Sequence, residues 1–177
     1  MNKNILIISG HTDINDSVAN KTILQQLEVQ LPESRIVYLD KLYTHKPIDV
    51  ETEQKNLLWA DVIVLQCPVF WFSMPSIMHR WMEEVFLHGF SHGSTGNKLR
   101  GKTLILSCTS GAPSETLNIE DFFGFLHAVC GFTGMTHGGT IHTGDVSYHM
   151  RTDPQQLAAI TERAGRHART LVELIKA

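Results

Sequence analysis

The chain has 177 residues, 42% of them hydrophobic and 19% charged; that is enough for one full core and short for two, so a single domain over residues 1–177 is expected. Its formal net charge of -3 is spread without a block of like charge, which removes the footprint of a nucleic-acid or anionic-membrane binder. No opening stretch has the order of a secretory leader and no apolar run is long enough to span a bilayer, so a cytoplasmic protein is expected.

The first segment, Asn4 to Gly10 ("NILIISG"), is a short apolar run ending in glycine, the pattern of a buried parallel strand. From Ala19 onward Ile23, Leu24, Leu27 and Leu31 recur at spacings of three and four until Pro32, which predicts an amphipathic helix. Arg35 to Leu39 reads as a second strand, and a polar connection leads to a weaker helix over Val50 to Ala60. Asp61 to Cys67 ("DVIVLQC") is the third and most hydrophobic strand, its β-branched content favouring strand over helix. Beyond a loop of three aromatics between two prolines, Ile77, Met78, Trp81, Met82, Val85 and Phe86 form a helical stripe best read as core packing. The stretch from Leu87 to Gly101 is a long Gly/Ser/His loop, of the length that is usually functional or mobile.

Lys102 to Cys108 predicts the fourth strand, a helix is expected around Asp121 to Cys130, and the middle of "GMTHGGTIHTG" predicts the fifth. Asp153 before Pro154 is a cap and first-position pair opening a last helix with Leu157, Ile160, Ala164, Ala168, Leu171 and Ile175 on one face. Strands alternating with helices imply right-handed crossovers and a parallel sheet covered on both faces. Cys67, Cys108 and Cys130 are an odd number, two of them ending strand-like runs, and read as buried free thiols.

In such a sheet ligands bind beyond the carboxyl ends of the strands, where strand order reverses. The loops after strands one, three and four are therefore the places to look: "GHTDINDSVAN", "PVFWFSMP" and "TSGAPSE". The first sets His11, Thr12, Ser17 and Asn20 before a helix start, where open N–H groups favour a phosphate. The second supplies backbone edges and flat aromatic surface for a planar heterocycle. The third sets Gly111 and Ala112 beside hydroxyl residues and permits close approach to a ring. Taken singly, Ser17 could be only a helix cap, Phe70 to Phe72 an apolar plug or dimer contact, and "TSGA" an ordinary turn. Together they describe a flavin mononucleotide site.

No G-x-G-x-x-G follows strand one and no Walker A sequence occurs, so a dinucleotide-binding Rossmann grip is not expected. Around His88 and His92, or His137, His142 and His149, no carboxylate or cysteine stands at convincing ligand spacing, and no metal is expected. No G-x-S-x-G elbow supports a serine hydrolase.

With these residues in view the sequence resembles the NAD(P)H:quinone oxidoreductase branch of flavodoxin-like proteins, above all its short bacterial members, including the ancillary flavoproteins of glutathione-regulated potassium efflux systems. "GHTDINDSVANK" resembles the family's flavin-phosphate loop, which implies His11, Ser17, Val18, Ala19 and Asn20 at the phosphate. "CPVFWFSMPSIMHRWMEEVF" is similar to its aromatic loop and helix, implying Val69, Phe70, Trp71 and Phe72 along the isoalloxazine. "TSGA" resembles its ring-edge loop, implying Thr109, Ser110, Gly111 and Ala112 there. The resemblance implies an α/β, flavodoxin-like fold with a five-stranded parallel sheet in order 2-1-3-4-5. It further implies FMN, with FAD the alternative, NAD(P)H as co-substrate, a quinone or similar acceptor, two-electron transfer, and a homodimer; peripheral association with a membrane transporter is the rival role. His79, Glu83 and Ala112 stand where family members often have lysine, aspartate and glycine, and Leu117 stands near the position of a tyrosine in the larger animal enzymes. No catalytic side chain is carried over.

Overall fold

The computed structural model describes residues 3–177. Five parallel strands make one sheet in the order β2-β1-β3-β4-β5, with β1 at Ile5–Ser9, β2 at Arg35–Tyr38, β3 at Val62–Pro68, β4 at Thr103–Thr109 and β5 at Thr136–Thr143. The expected order and the coverage of both faces are found. Because successive side chains on a strand point to opposite faces, Leu6 and Ile8 enter one core while Ile7 enters the other. The first core is shared with α2 (Leu39–Tyr43), α3 (Val50–Trp59), α4 (Ser76–Val85), α5 (Ile119–Phe123) and α6 (Phe125–Thr133). The second lies under α1 (Ala19–Gln30) and α7 (Pro154–Lys176), which pack on each other. The central strand β3 is buried along its whole length, and each fully buried large aliphatic there is worth about 1.5–3 kcal/mol.

The local rules hold for most elements. Asp153 Oδ1 accepts from the N–H groups of Gln155 and Gln156 at 2.8 and 3.0 Å, capping α7 ahead of Pro154. Glu53, an acid buried within the first core, accepts from Tyr43 Oη at 2.7 Å and Trp81 Nε1 at 3.0 Å, so its burial is compensated.

Three departures from the sequence reading have physical causes. Leu39 leaves β2 and opens the short α2, because Leu39 and Tyr43 both find places in the first core. The helix expected around Asp121 to Cys130 is two helices meeting at Gly124, and its run continues to Thr133, where Gly134 takes the left-handed conformation (φ 74) that ends it. In β5 the register against β4 slips between Leu104 and Ile105, so His137 and Gly139 are paired and Gly138 between them is not; that irregularity blurs the period-two pattern. The Leu87–Gly101 stretch is pinned by the buried Phe90 and Leu99. Among the described residues no helix is long and apolar enough to cross a membrane.

Candidate functional site

The chain leaves β1 towards β2 on one side and returns through β3 on the other, so the loops after β1 and β3 diverge at the carboxyl edge of the sheet and leave a crevice. A cavity of about 280 Å³ lies there, walled by the loops after β1, β3 and β4 and by the segment before α7. Ligand cavities run roughly 300–1,000 Å³, so it stands just below that range.

The loop after β1 starts at Gly10, where a Cβ would meet Met78 Cε at 2.5 Å and Cβ at 3.0 Å, so a side chain there would press the Met78 side chain of α4 aside. Asp13 turns the loop by accepting from Asn15 N–H at 3.0 Å, and Asp40 accepts from Ile14 N–H at 2.8 Å. Asp13 N–H donates to His11 Nδ1 at 3.1 Å, so the other ring nitrogen carries the proton and is a donor. Burial holds the His11 pKa below its ordinary value, against the nearby acids that raise it, and the ring serves as a neutral donor. Ser17 Oγ accepts from Asn20 N–H at 3.1 Å, the side-chain cap of α1. The cap and the ligand-facing reading of Ser17 thus hold together, since it also lines the cavity with Val18, Ala19 and Asn20.

After β3, Val69 and Phe70 line the cavity and Phe70 meets His11 edge-on, centroids 5.9 Å apart. Phe70 and Ser73 exchange both backbone hydrogen bonds, at 2.9 and 3.0 Å, and close a two-residue turn. Its central residues, Trp71 (φ 50) and Phe72 (φ 61), are both left-handed, a conformation that bulky side chains rarely take. Neither lines the cavity. Trp71 is 95% exposed, while Phe72 leans on Phe122 with centroids 5.1 Å apart. Ser73 Oγ lies 2.9 Å from His79 Nε2 at the foot of the turn.

After β4, Thr109, Ser110 and Gly111 line the cavity, whereas Ala112 does not. This loop is laced to the β5 exit by Ser110 N–H to Thr143 O at 3.0 Å and Val146 N–H to Ser110 O at 3.1 Å. Ten of the thirteen residues expected from sequence therefore come together.

A family match fits this geometry: residues 3–168 match the family described as flavodoxin-like fold. The chain belongs to the flavodoxin-like family. An uncharacterized NAD(P)H oxidoreductase, YdeQ of Bacillus subtilis (strain 168), is 37% identical over 111 residues, 63% of this chain and 56% of that protein; the matched stretch thus spans little more than half of that relative. The glutathione-regulated potassium-efflux system ancillary protein KefF of Enterobacter sp. (strain 638) is 37% identical over 68% of each chain. A general stress protein 14 from Treponema denticola, solved in complex with FMN, superposes with a TM-score of 0.83 at 22% identity, covering 98% of both chains.

Among the cavity residues of the flavodoxin-like chain that sequence reasoning missed are Tyr148 and Arg151. Arg151 stacks over the Tyr148 ring, 3.4 Å from its centroid, and bridges to the Asp16 carboxylate and carbonyl. No local pattern marks this strap, because its partner lies 135 residues away in the chain. Beneath the cavity a second missed feature runs through the buried side chains of Asn20, Gln66, Ser107 and His167. Gln66 Nε2 donates to Asn20 Oδ1 at 2.8 Å, and Asn20 Nδ2 donates to Ser17 Oγ at 3.2 Å and Thr109 Oγ1 at 3.0 Å. Ser107 Oγ donates to Gln66 Oε1 and stands 2.6 Å from His167 Nε2, while His167 Nδ1 stands 2.8 Å from Thr143 Oγ1. The donor set fits a flavin nucleotide: hydroxyls, a neutral imidazole, a helix start, backbone edges and an apolar wall gather around one cavity.

Proposed function

We propose that this chain is a flavin-dependent NAD(P)H:quinone oxidoreductase with FMN, rather than FAD, as its resident cofactor, acting as a cytoplasmic homodimer. The observation that carries the reading is the convergence of the His11, Ser17 and Thr109 side chains and the start of α1 with Val69, Phe70 and Gly111 around a single cavity. The relatives named as NAD(P)H oxidoreductases and the FMN complex of the same fold support it.

In this reading His11, through its protonated ring nitrogen, the Ser17 and Thr109 hydroxyls and the open N–H groups of the first turn of α1 hold the phosphate. None of these donors requires a lysine, and His11 contributes a hydrogen bond without charge. Val69 and Phe70 border one edge of the ring; Ser110 and Gly111 border the other. When bound, the cofactor supplies reversible two-electron hydride chemistry, and the protein positions it and keeps water from the ring. NAD(P)H and then the quinone would use the open side, beside the strained Trp71–Phe72 turn. The exposed aromatic rings there suit burial by a second copy.

The test is direct: purify the protein, release and identify any bound cofactor, and follow NADH- and NADPH-dependent reduction of a soluble quinone. A colourless protein that fails to take up added FMN sinks the reading. The relatives named KefF favour a second role, a flavin-binding regulatory subunit of a potassium efflux system. Co-purification with a membrane transporter whose flux needs this chain, together with slow quinone turnover, would favour that role.

A further inference from the structure

We propose that His167, which touches no ligand, anchors the buried hydrogen-bond chain beneath the cavity and, with its proton on Nε2, holds the Ser17 and Thr109 hydroxyls as donors to the phosphate of the bound flavin; the proposal rests on the flavin reading above. His167 is buried at 3% exposure on α7, and the chain crosses β5, β4, β3 and α1 before it reaches the cavity wall.

The proton count gives the chain a direction. A neutral imidazole has one N–H donor and one acceptor nitrogen, an amide donates only from nitrogen, and a hydroxyl donates once. Gln66 gives a proton to Asn20 Oδ1, so its own oxygen receives the Ser107 hydroxyl proton. Ser107, having donated, must accept from His167 Nε2–H, which leaves Nδ1 bare to accept the Thr143 hydroxyl proton. At the other end Asn20 gives its two amide protons to Ser17 Oγ and Thr109 Oγ1. Both of these oxygens are thereby used as acceptors from below, and both hydroxyl protons are left for the cavity that Ser17 and Thr109 line. Every link polarises the next in the same sense.

The opposite sense is also self-consistent. With both amides turned over and the imidazole proton on Nδ1, the Ser17 and Thr109 hydroxyls would donate inward and offer lone pairs to the cavity. A phosphate accepts only, so it selects the outward sense, and a ligand that donates would select the inward one. Burial keeps the imidazole neutral, its pKa lowered to about 4, so that the two tautomers correspond to the two senses. His167 is the one ring in the chain that can report which sense is taken.

Two measurements test this. In protein carrying ¹⁵N-labelled histidine, long-range ¹⁵N–¹H spectra with FMN bound should show His167 protonated at Nε2 and bare at Nδ1; the reverse tautomer would overturn the proposal. Repeating them with inorganic phosphate alone separates the two readings: a wild-type protein that takes neither FMN nor riboflavin ends the flavin reading, while the tautomer still decides the direction of the chain. Affinities for FMN and riboflavin isolate the phosphate. His167→Phe removes both nitrogens, and FMN should bind about tenfold more weakly, the scale of one weakened charge-assisted hydrogen bond, with riboflavin unchanged. His167→Gln, which keeps a donor near the Nε2 position, should restore most of the difference. Equal losses for both flavins, or a folded His167→Gln protein without restoration, would show His167 to be only a packing residue. If His167→Phe does not fold, the wild-type tautomer and His167→Gln carry the decision.

Discussion

His167 and Ser17 each combine two demands on one side chain. The His167 pKa is lowered from 6.5 to about 4, by burial first and by the neighbouring His142 second. An unfolded chain takes up the proton at a higher pH than the native one, so this contribution to stability is complete above about pH 6.5 and declines as the pH falls towards 4. The loss amounts to about 3 kcal/mol. Urea midpoints measured from pH 7 to pH 4 should fall more steeply for the native protein than for His167→Gln; parallel curves would remove His167 as the cause. Ser17 both caps α1 and faces the cavity. Ser17→Ala is expected to lower stability by about 1 kcal/mol, and to weaken FMN binding at least tenfold, readable by flavin fluorescence. A loss of stability without a loss of FMN would make Ser17 a cap alone.

Among the elements, the turn from Phe70 to Ser73 stores strain. Two successive non-glycine residues at φ 50 and φ 61 cost on the order of 1–3 kcal/mol each, and Trp71 at 95% exposure gains almost nothing from packing in return. Such strain persists where surroundings or function require it. Replacing the pair, Trp71→Asn with Phe72→Gly, supplies the residues that this two-residue turn favours, and should raise the melting temperature while slowing quinone turnover. A lower melting temperature would show that the aromatic rings stabilise the turn. The break at Gly124 between α5 and α6 belongs to the same scale: the apolar period runs through it, yet Ile119 and Phe123 on one side and Leu126 and Cys130 on the other all reach the same core.

At the scale of the molecule, two cores clamp one sheet, and the three cysteines lie inside the larger of them. Burial pushes the Cys108 thiol up to about 12, and the Cys67 thiol beside it across the β3–β4 pair well above its ordinary value. The reactive thiolate is therefore scarce and out of reach in the native state. A chromogenic disulfide reagent should label none of the three thiols in native protein at pH 8 and all three in denaturant. Labelling within seconds under native conditions would point to an opening that these cores do not show. The α1–α7 pairing behind the sheet also places His167 beneath the site, so damage to that helix pair should reach the cavity.

The sequence by itself determined the strands and most helices, because a parallel strand buried on both faces must be largely apolar, as Val62–Leu65 is throughout, and an amphipathic helix must repeat its apolar face, as Ile160, Ala164, Ala168, Leu171 and Ile175 do. It also determined which loops lie at the site, since a glycine after β1, a polar helix start and an aromatic loop each follow a strand. Only the tertiary structure decided the rest. It turned Trp71 and Phe72 away from the cavity, because the hydrogen bonds between Phe70 and Ser73 close the turn around those residues and leave them at its tip. It brought Arg151 to Asp16, and His167 through Ser107 and Gln66 to Asn20. Those partners stand far apart in the chain, and a buried hydrogen-bond chain leaves no periodic trace: each polar residue looks, in its own segment, like an interruption of an apolar run until the strands lie side by side.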